Sequence, residues 1–132
     1  MSVSADTSVI SLRLPALPEY LMFSRLVLTG LSRAMEIDAE TLADLKLAVS
    51  EACSYAIRSG EGDGTISVRY ELRPDRVLVD VESDLASGAP GAEDELGEDD
   101  LGLAIIRALV DELEVEEGPD GPVSRISFGK TL

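Results

Sequence analysis

Apolar and polar side chains alternate along three segments of this chain. In residues 9–14, 65–72 and 77–81 nearly every second residue is Ile, Leu, Val or Tyr, a pattern that predicts strands with one solvated face. The second and third segments are separated by a short turn that contains proline, so they are expected to pair as a hairpin. Another hairpin is predicted near the C terminus, where residues 114–117 and 123–130 flank the turn sequence Gly-Pro-Asp-Gly.

Apolar residues recur at helical spacing in three other segments. The predicted helices span residues 19–35, 39–59 and 101–113. Asp99 or Asp100 is expected to cap the third helix, because a carboxylate accepts hydrogen bonds from the free backbone N–H groups of a first turn. On the first helix, the predicted core face consists of Phe23, Val27, Leu31 and Ala34.

These elements follow each other in the order β-α-α-β-β-α-β-β. Helices on one side of a half-solvated, mainly antiparallel sheet define an α/β (α+β) fold with two layers. A length of 132 residues fits one domain, which we assign to residues 1–132. Residues 83–100 are rich in Gly, Ala, Pro and acidic residues and contain no basic residue, and we interpret them as a mobile acidic lid loop.

The net charge narrows the choice of partners. The chain has 11 basic and 26 acidic residues and a formal net charge of -15. Such a surface repels nucleic acid phosphates and anionic lipid membranes, whereas it attracts a basic protein surface. Alternatively, the acidity only maintains solubility or reflects a salt-adapted host.

The remaining composition indicates a globular protein of the cytoplasm. Hydrophobic residues make up 45% of the chain, and no apolar run approaches the roughly 20 residues that span a bilayer. Residues 1–8 lack the basic and then apolar layout of a signal peptide. Cys53 is the only cysteine, so it cannot form an internal disulfide, and a reducing compartment is the simplest location.

The most specific motif lies in the second predicted helix. Residues 44–56 read Asp-Leu-Lys-Leu-Ala-Val-Ser-Glu-Ala-Cys-Ser-Tyr-Ala and place Glu51 and Tyr55 one turn apart. Together with parts of residues 15–30 and 101–115, this motif resembles the Bergerat, or histidine-kinase-like, ATPase superfamily. It is most similar to the anti-sigma factors of the RsbW type, which double as serine kinases, and the resemblance covers most of the chain.

The resemblance implies a function in transcription regulation, with ATP and Mg²⁺ as cofactors. Proteins of this type bind a sigma factor, form homodimers, and phosphorylate a serine of an anti-anti-sigma factor that antagonises them. Our first hypothesis is an anti-sigma factor with a degenerate nucleotide site, which acts by protein binding. The alternative is an active ATP-dependent serine kinase, and a third possibility is a Bergerat-type module with an unrelated regulatory partner.

The resemblance also assigns roles to individual residues. Glu51 matches the glutamate that is a candidate general base toward the substrate serine. Tyr55 stands where the family has a magnesium-binding asparagine, and a phenol is a poor ligand for this cation. Ser83 is in register with the aspartate that binds the adenine amino group, while Asp84 follows one position later. Leu85 replaces a glycine that normally follows this aspartate.

A second group of positions corresponds to the phosphate-binding and adenine-supporting parts of the family site. Gly102 and Leu103 are retained, but acidic residues, among them Asp100, precede them where small neutral residues are expected. These carboxylates would repel a triphosphate. Ser124 replaces a threonine that often supports the adenine. Four positions therefore argue against ordinary ATP binding: Tyr55, Ser83, Leu85 and Asp100.

Each assigned residue also has a structural alternative. Arg25 lies in the first helix, which the family uses for partner docking, and is a candidate partner contact or simply a solvated arginine. Glu51 is either a remnant catalytic residue or a solvent-facing acid. Tyr55 is a plug of the old nucleotide cavity, a surface aromatic residue, or an anchor for a partner. We predict no dedicated metal-binding loop, because the acidic segment lacks the ligand spacing of an EF-hand.

Overall fold

The computed structural model describes residues 7–58, 64–83, 96–117 and 123–132. At residues 58, 96–100, 117, 123 and 124 the description covers the backbone only. Within this part of the chain there are three α-helices and one five-stranded sheet. The helices are α1 (Met22–Met35), α2 (Ala39–Arg58) and α3 (Leu96–Leu109), and a short 3-10 turn, Pro18–Tyr20, precedes α1. The strands are β1 (Ser8–Pro15), β2 (Thr65–Arg73), β3 (Arg76–Ser83), β4 (Glu112–Glu117) and β5 (Val123–Thr131).

The sheet has the strand order β1-β2-β3-β5-β4, and all neighbouring strands are antiparallel. Alternate residues of β2 and β3 are buried, as expected for strands whose one face contacts helices. α2 packs against both β3 and β5, and α1 and α3 both pack against α2. The predicted order of elements and the two-layer α+β fold are confirmed.

The core lies between the helices and one face of the sheet. Its largest fully buried side chains are Leu28, Leu45, Val49, Cys53, Ile66, Val68, Tyr70, Val77, Val79, Val81, Ile106 and Ile126. Most of these are β-branched residues on strands or small and medium aliphatic residues on α2, which suits a pleated sheet packed by a helix. The opposite face of the sheet carries mainly polar side chains, and no element of the described chain covers it.

The orientation of α1 differs from the prediction. Phe23 and Ala34 are exposed, while Ser24 and Leu28 are fully buried. Two hydrogen bonds explain the difference: the hydroxyl of Tyr70 donates to the carbonyl oxygen of Ser24 (2.8 Å), and Ser24 Oγ donates to the carbonyl oxygen of Leu21 (2.6 Å). Because a buried tyrosine needs a partner for its hydroxyl, this contact turns Ser24 rather than Phe23 toward the sheet.

The third helix also has other limits than predicted. It begins at Leu96 and ends at Leu109, so Asp99 and Asp100 lie within the helix and do not cap it. The C-terminal end is fixed by β5, since Lys130 Nζ donates to the carbonyl oxygen of Leu109 (2.7 Å). Of the predicted lid, Ser83 belongs to β3 and residues 96–100 belong to α3, while residues 84–95 lie outside the described residues.

Candidate functional site

The helix α2 carries the two central residues of the predicted nucleotide site. Asp38 caps this helix by accepting a hydrogen bond from the backbone N–H of Thr41 (2.8 Å), and hydrogen bonds from the side chain and backbone of Thr41 hold the pKa of its carboxyl below the ordinary value. Glu51 is half-buried on α2, whereas Tyr55 is only 7% exposed and belongs to the hydrophobic core cluster. The two side chains are one turn apart, but they lie in different surroundings.

The other predicted site residues lie on elements that contact α2. Gly102 is buried in α3, and Leu103 on the same helix packs against the core. Ser83 is the last residue of β3, pairs with Ile66 of β2, and is partly buried. The structure thus gathers Glu51 and Tyr55 on α2 with the flanking α3 and β3.

Four predicted site positions are described less fully or not at all. Asp84 and Leu85 lie outside the described residues. Ser124 is in β5 and Asp100 is in α3, and only the backbone of these two residues is described. Their predicted roles toward adenine and phosphate therefore stay predictions.

The surroundings of Tyr55 do not suit a magnesium ion. Magnesium prefers octahedral sites built from carboxylates, phosphates and water, and it gives up its water reluctantly. At the position that the resemblance assigns to the magnesium ligand, the structure has an aromatic ring embedded among apolar side chains. In the described residues, no three acidic or sulfur-bearing side chains cluster as a metal site.

Arg25 contacts α2 close to Glu51. Its Nη1 donates to the hydroxyl of Ser50 (3.1 Å), and the arginine is half-buried between the two helices. The contact holds the guanidinium beside α2 and close to the residue that precedes Glu51. Nearby, burial raises the pKa of the Cys53 thiol to about 12, so this cysteine stays protonated and is a packing residue.

The outer surface of α1 and of the segment just before it forms an apolar patch, called the α1 patch, that the sequence prediction missed. The α1 patch consists of the exposed side chains Leu17, Tyr20, Met22, Phe23 and Leu26. The rings of Tyr20 and Phe23 stack with centroids 6.2 Å apart, and Leu26 is one turn further along the helix with 53% of its surface exposed. Contiguous exposed apolar residues of this kind mark interaction surfaces. Of these residues, only Phe23 was predicted from the sequence to face the core, and no prediction was made for the other four.

A polar cluster on the outer face of the sheet was also missed. Asp80 on β3 accepts two hydrogen bonds from Arg125 on β5, from Nε (2.8 Å) and Nη2 (2.6 Å), and a third from the hydroxyl of Ser127 (2.6 Å). Burial raises the pKa of the Asp80 carboxyl, but the hydrogen bonds from Arg125 and Ser127 outweigh burial, so the pKa lies below the ordinary value. Only the strand register brings these residues together.

This cluster makes a testable contribution to stability. Replacing Asp80 by asparagine is expected to lower the free energy of unfolding at pH 7 by about 1–2 kcal/mol, because bidentate bonds to a charged group are lost. Since the folded pKa of Asp80 is lowered, its stabilisation is present above about pH 4 and disappears as the pH falls through the folded pKa. Urea unfolding of the wild-type chain and of Asp80→Asn should therefore give free energies of unfolding that differ at pH 7 and become equal in acid. Asp75→Asn, a substitution at an exposed turn residue, is the control. A stability difference between the wild type and Asp80→Asn that persists at pH 2 would contradict the link between stability and the ionisation of Asp80.

The class of protein follows from comparison with known families. The sequence model of the histidine kinase-like ATPase domain matches residues 14–128, so the chain belongs to this family. Among individual relatives, it is 36% identical to the serine-protein kinase RsbW of Bacillus velezensis over 97% of this chain and 89% of that protein. Identity to the serine-protein kinase RsbW of Bacillus subtilis is 33% over 84% of this chain and 79% of that protein. These matches confirm the resemblance to the RsbW type.

In the described part of the chain, no helix is both long and apolar enough to cross a bilayer.

Proposed function

We propose that this chain is an anti-sigma regulatory factor that sequesters a sigma factor and whose nucleotide site is degenerate. The observation that carries the proposal is the burial of Tyr55, whose ring fills part of the core where an active family member needs a magnesium ligand. The membership in the histidine kinase-like ATPase family and the RsbW relatives support the regulatory role. A cytoplasmic location and a homodimer are part of the same proposal.

The α1 patch is the surface that we assign to partner binding. It offers apolar side chains to a partner, and Arg25 on the same helix supplies a charged contact beside them. The net charge of -15 favours a basic partner surface such as that of a DNA-binding sigma factor and disfavours direct nucleic acid binding. We further propose that an anti-anti-sigma factor releases the sigma factor by competing for this chain.

An active serine kinase is the second candidate. It is favoured by the named activity of the relatives and by Glu51, which keeps a half-buried position on α2 where the family has its candidate general base. In that case ATP would supply the phosphoryl group, and Glu51 would accept the proton of the substrate serine. The two candidates differ first of all in nucleotide binding.

Calorimetry with ATP and ADP in the presence of magnesium separates the two candidates. A nucleotide at a hundred times its dissociation constant stabilises a protein by about 2.7 kcal/mol, which is easily seen as a shift of the thermal midpoint. We expect no shift and no heat of binding at millimolar nucleotide. The RsbW protein of Bacillus velezensis provides the comparison under the same conditions. Micromolar binding to this chain would overturn the proposed degeneracy and restore the kinase hypothesis.

A further inference from the structure

The strand β4 forms one edge of the sheet and carries a regular pattern of charge. In the described chain only β5 pairs with it, so its other edge presents backbone N–H and C=O groups. On the outer face every second residue is a glutamate: Glu112, Glu114 and Glu116. Leu113 and Val115 alternate with them and are partly buried against the core. The edge therefore has an acidic face and an apolar face.

We propose that the β4 edge binds an extended segment of a partner protein in which lysine or arginine residues alternate with apolar residues. Such a segment would add a sixth strand by backbone hydrogen bonds, as in other cases of strand addition. Its basic side chains would lie opposite the three glutamates, because directly opposed residues of neighbouring strands are about 5 Å apart. Its apolar side chains would cover Leu113 and Val115 on the opposite face.

The surface beside β4 has room for long basic side chains. One depression of about 240 Å³ is lined by Glu114, Val115, Glu116, Arg125 and Ser127. A wider cleft of about 700 Å³ adjoins it, with Glu112 and Glu114 on one side and Gly129 in its floor. A side chain at Gly129 would collide with the side chains of Glu112, Arg76 and Leu78, which lie over this glycine.

In the described chain, the arginines on the outer face of the sheet do not pair with every glutamate of β4. Arg76 pairs with Glu112, and Arg125, which pairs with Asp80, lies opposite Glu116 in the strand register. Glu114 is exposed and lies opposite Ser127, and no lysine or arginine of the described residues forms a salt bridge with it. A lysine or arginine of an added strand next to Glu114 would therefore find an exposed carboxylate.

The same charges exclude other occupants of this edge. A second copy of the chain would place its own glutamates of β4 against these, which is repulsive at short range. Nucleic acid is repelled for the same reason. The register shifts between Glu116 and Glu117 at the end of β4, so regular pairing covers residues 112–116. These features leave a short basic strand as the matching occupant.

The β4 edge is separate from the α1 patch. α1 is attached to β2 through the hydrogen bond between Tyr70 and Ser24, and two strands, β3 and β5, lie between β2 and β4. Binding at the β4 edge does not require the proposed anti-sigma function, so each can fail without the other.

A capped, fluorescein-labelled peptide of sequence Thr-Lys-Val-Lys-Val-Lys-Thr is the probe. Its binding to the full chain is measured by fluorescence anisotropy, next to a peptide with glutamate for lysine and a peptide with methylated backbone nitrogens. We expect that only the unmodified lysine peptide binds, and that its affinity falls as salt is raised. Glu114→Lys should weaken binding at least about tenfold and Glu114→Gln about threefold, because the opposed carboxylate is lost. Glu36→Lys, the same charge change at the end of α1, should leave the affinity unchanged.

Hydrogen exchange supplies a readout that does not depend on charge. Binding of the lysine peptide should slow exchange in residues 112–117 and leave residues 8–15, at the other sheet edge, unaffected. Equal binding of the three peptides, an unchanged affinity in Glu114→Lys with its fold intact, or the absence of protection in β4 would each overturn the proposal.

Discussion

Replacing Tyr55 by asparagine is expected to lower the free energy of unfolding by about 2–4 kcal/mol, because the ring is almost completely buried in the core. The substitution removes most of the apolar surface of the ring and places an amide among apolar neighbours. Urea unfolding followed by circular dichroism measures the difference. The loss would show that Tyr55, at the position that the resemblance assigns to a magnesium ligand, serves packing.

Tyr20→Asn provides the matched control for this substitution. Tyr20 is 36% exposed and stacks on Phe23 at the surface, so the same chemical change should cost less than about 1 kcal/mol. Equal costs for the two variants would mean that Tyr55 is not a core residue. In that case the nucleotide cavity would be open at this point, and the proposed degeneracy would lose its main support.

Introducing glutamate into the α1 patch is expected to abolish most of the affinity for a sigma factor. Phe23→Glu and Leu26→Glu should each weaken binding by about 10- to 100-fold, because an apolar anchor is replaced by a charge that must be desolvated. Both residues are at least 43% exposed in the chain, so stability should change little. Biolayer interferometry against the purified sigma factors of the host measures the loss.

Val9→Glu tests whether the loss is specific to the α1 patch. Val9 is exposed to a similar degree as Phe23 but lies on β1 at an edge of the sheet. Its replacement adds the same charge and removes a comparable apolar surface. If Val9→Glu impairs binding as strongly as the α1 variants, the added charge rather than the patch is responsible, and the assigned docking surface is wrong.

Several properties of the fold could be derived from local patterns. Alternation in residues 65–72 and 77–81 predicted the central hairpin, because a strand with one buried face must alternate. Helical spacing in residues 39–59 predicted α2 to within one residue at its end. Such patterns survive in the structure because each depends on residues that are close in sequence.

The limits of α3 and the orientation of α1 depended on distant residues instead. The helix α3 ends where Lys130 of β5, 21 residues further along the chain, binds its last turn. Ser24 faces inward because Tyr70, on a strand far away in sequence, needs a hydrogen-bond acceptor. The helical repeat of apolar residues in α1 is compatible with several buried faces. The residue that selects one of them, Tyr70, is distant in sequence, so the local pattern does not reveal it.

The class of fold, the acidic character and the family could be derived from the sequence, since composition, spacing and motif wording are properties of the chain alone. The folded structure was needed to establish that Tyr55 is a core residue, that Phe23 and Leu26 belong to a surface patch, and that β4 is an edge with three glutamates on one face. The physical reason is that burial and strand order are set by contacts between residues far apart in the chain. Each such contact is chosen by the free energy of the whole packed molecule rather than by any local preference.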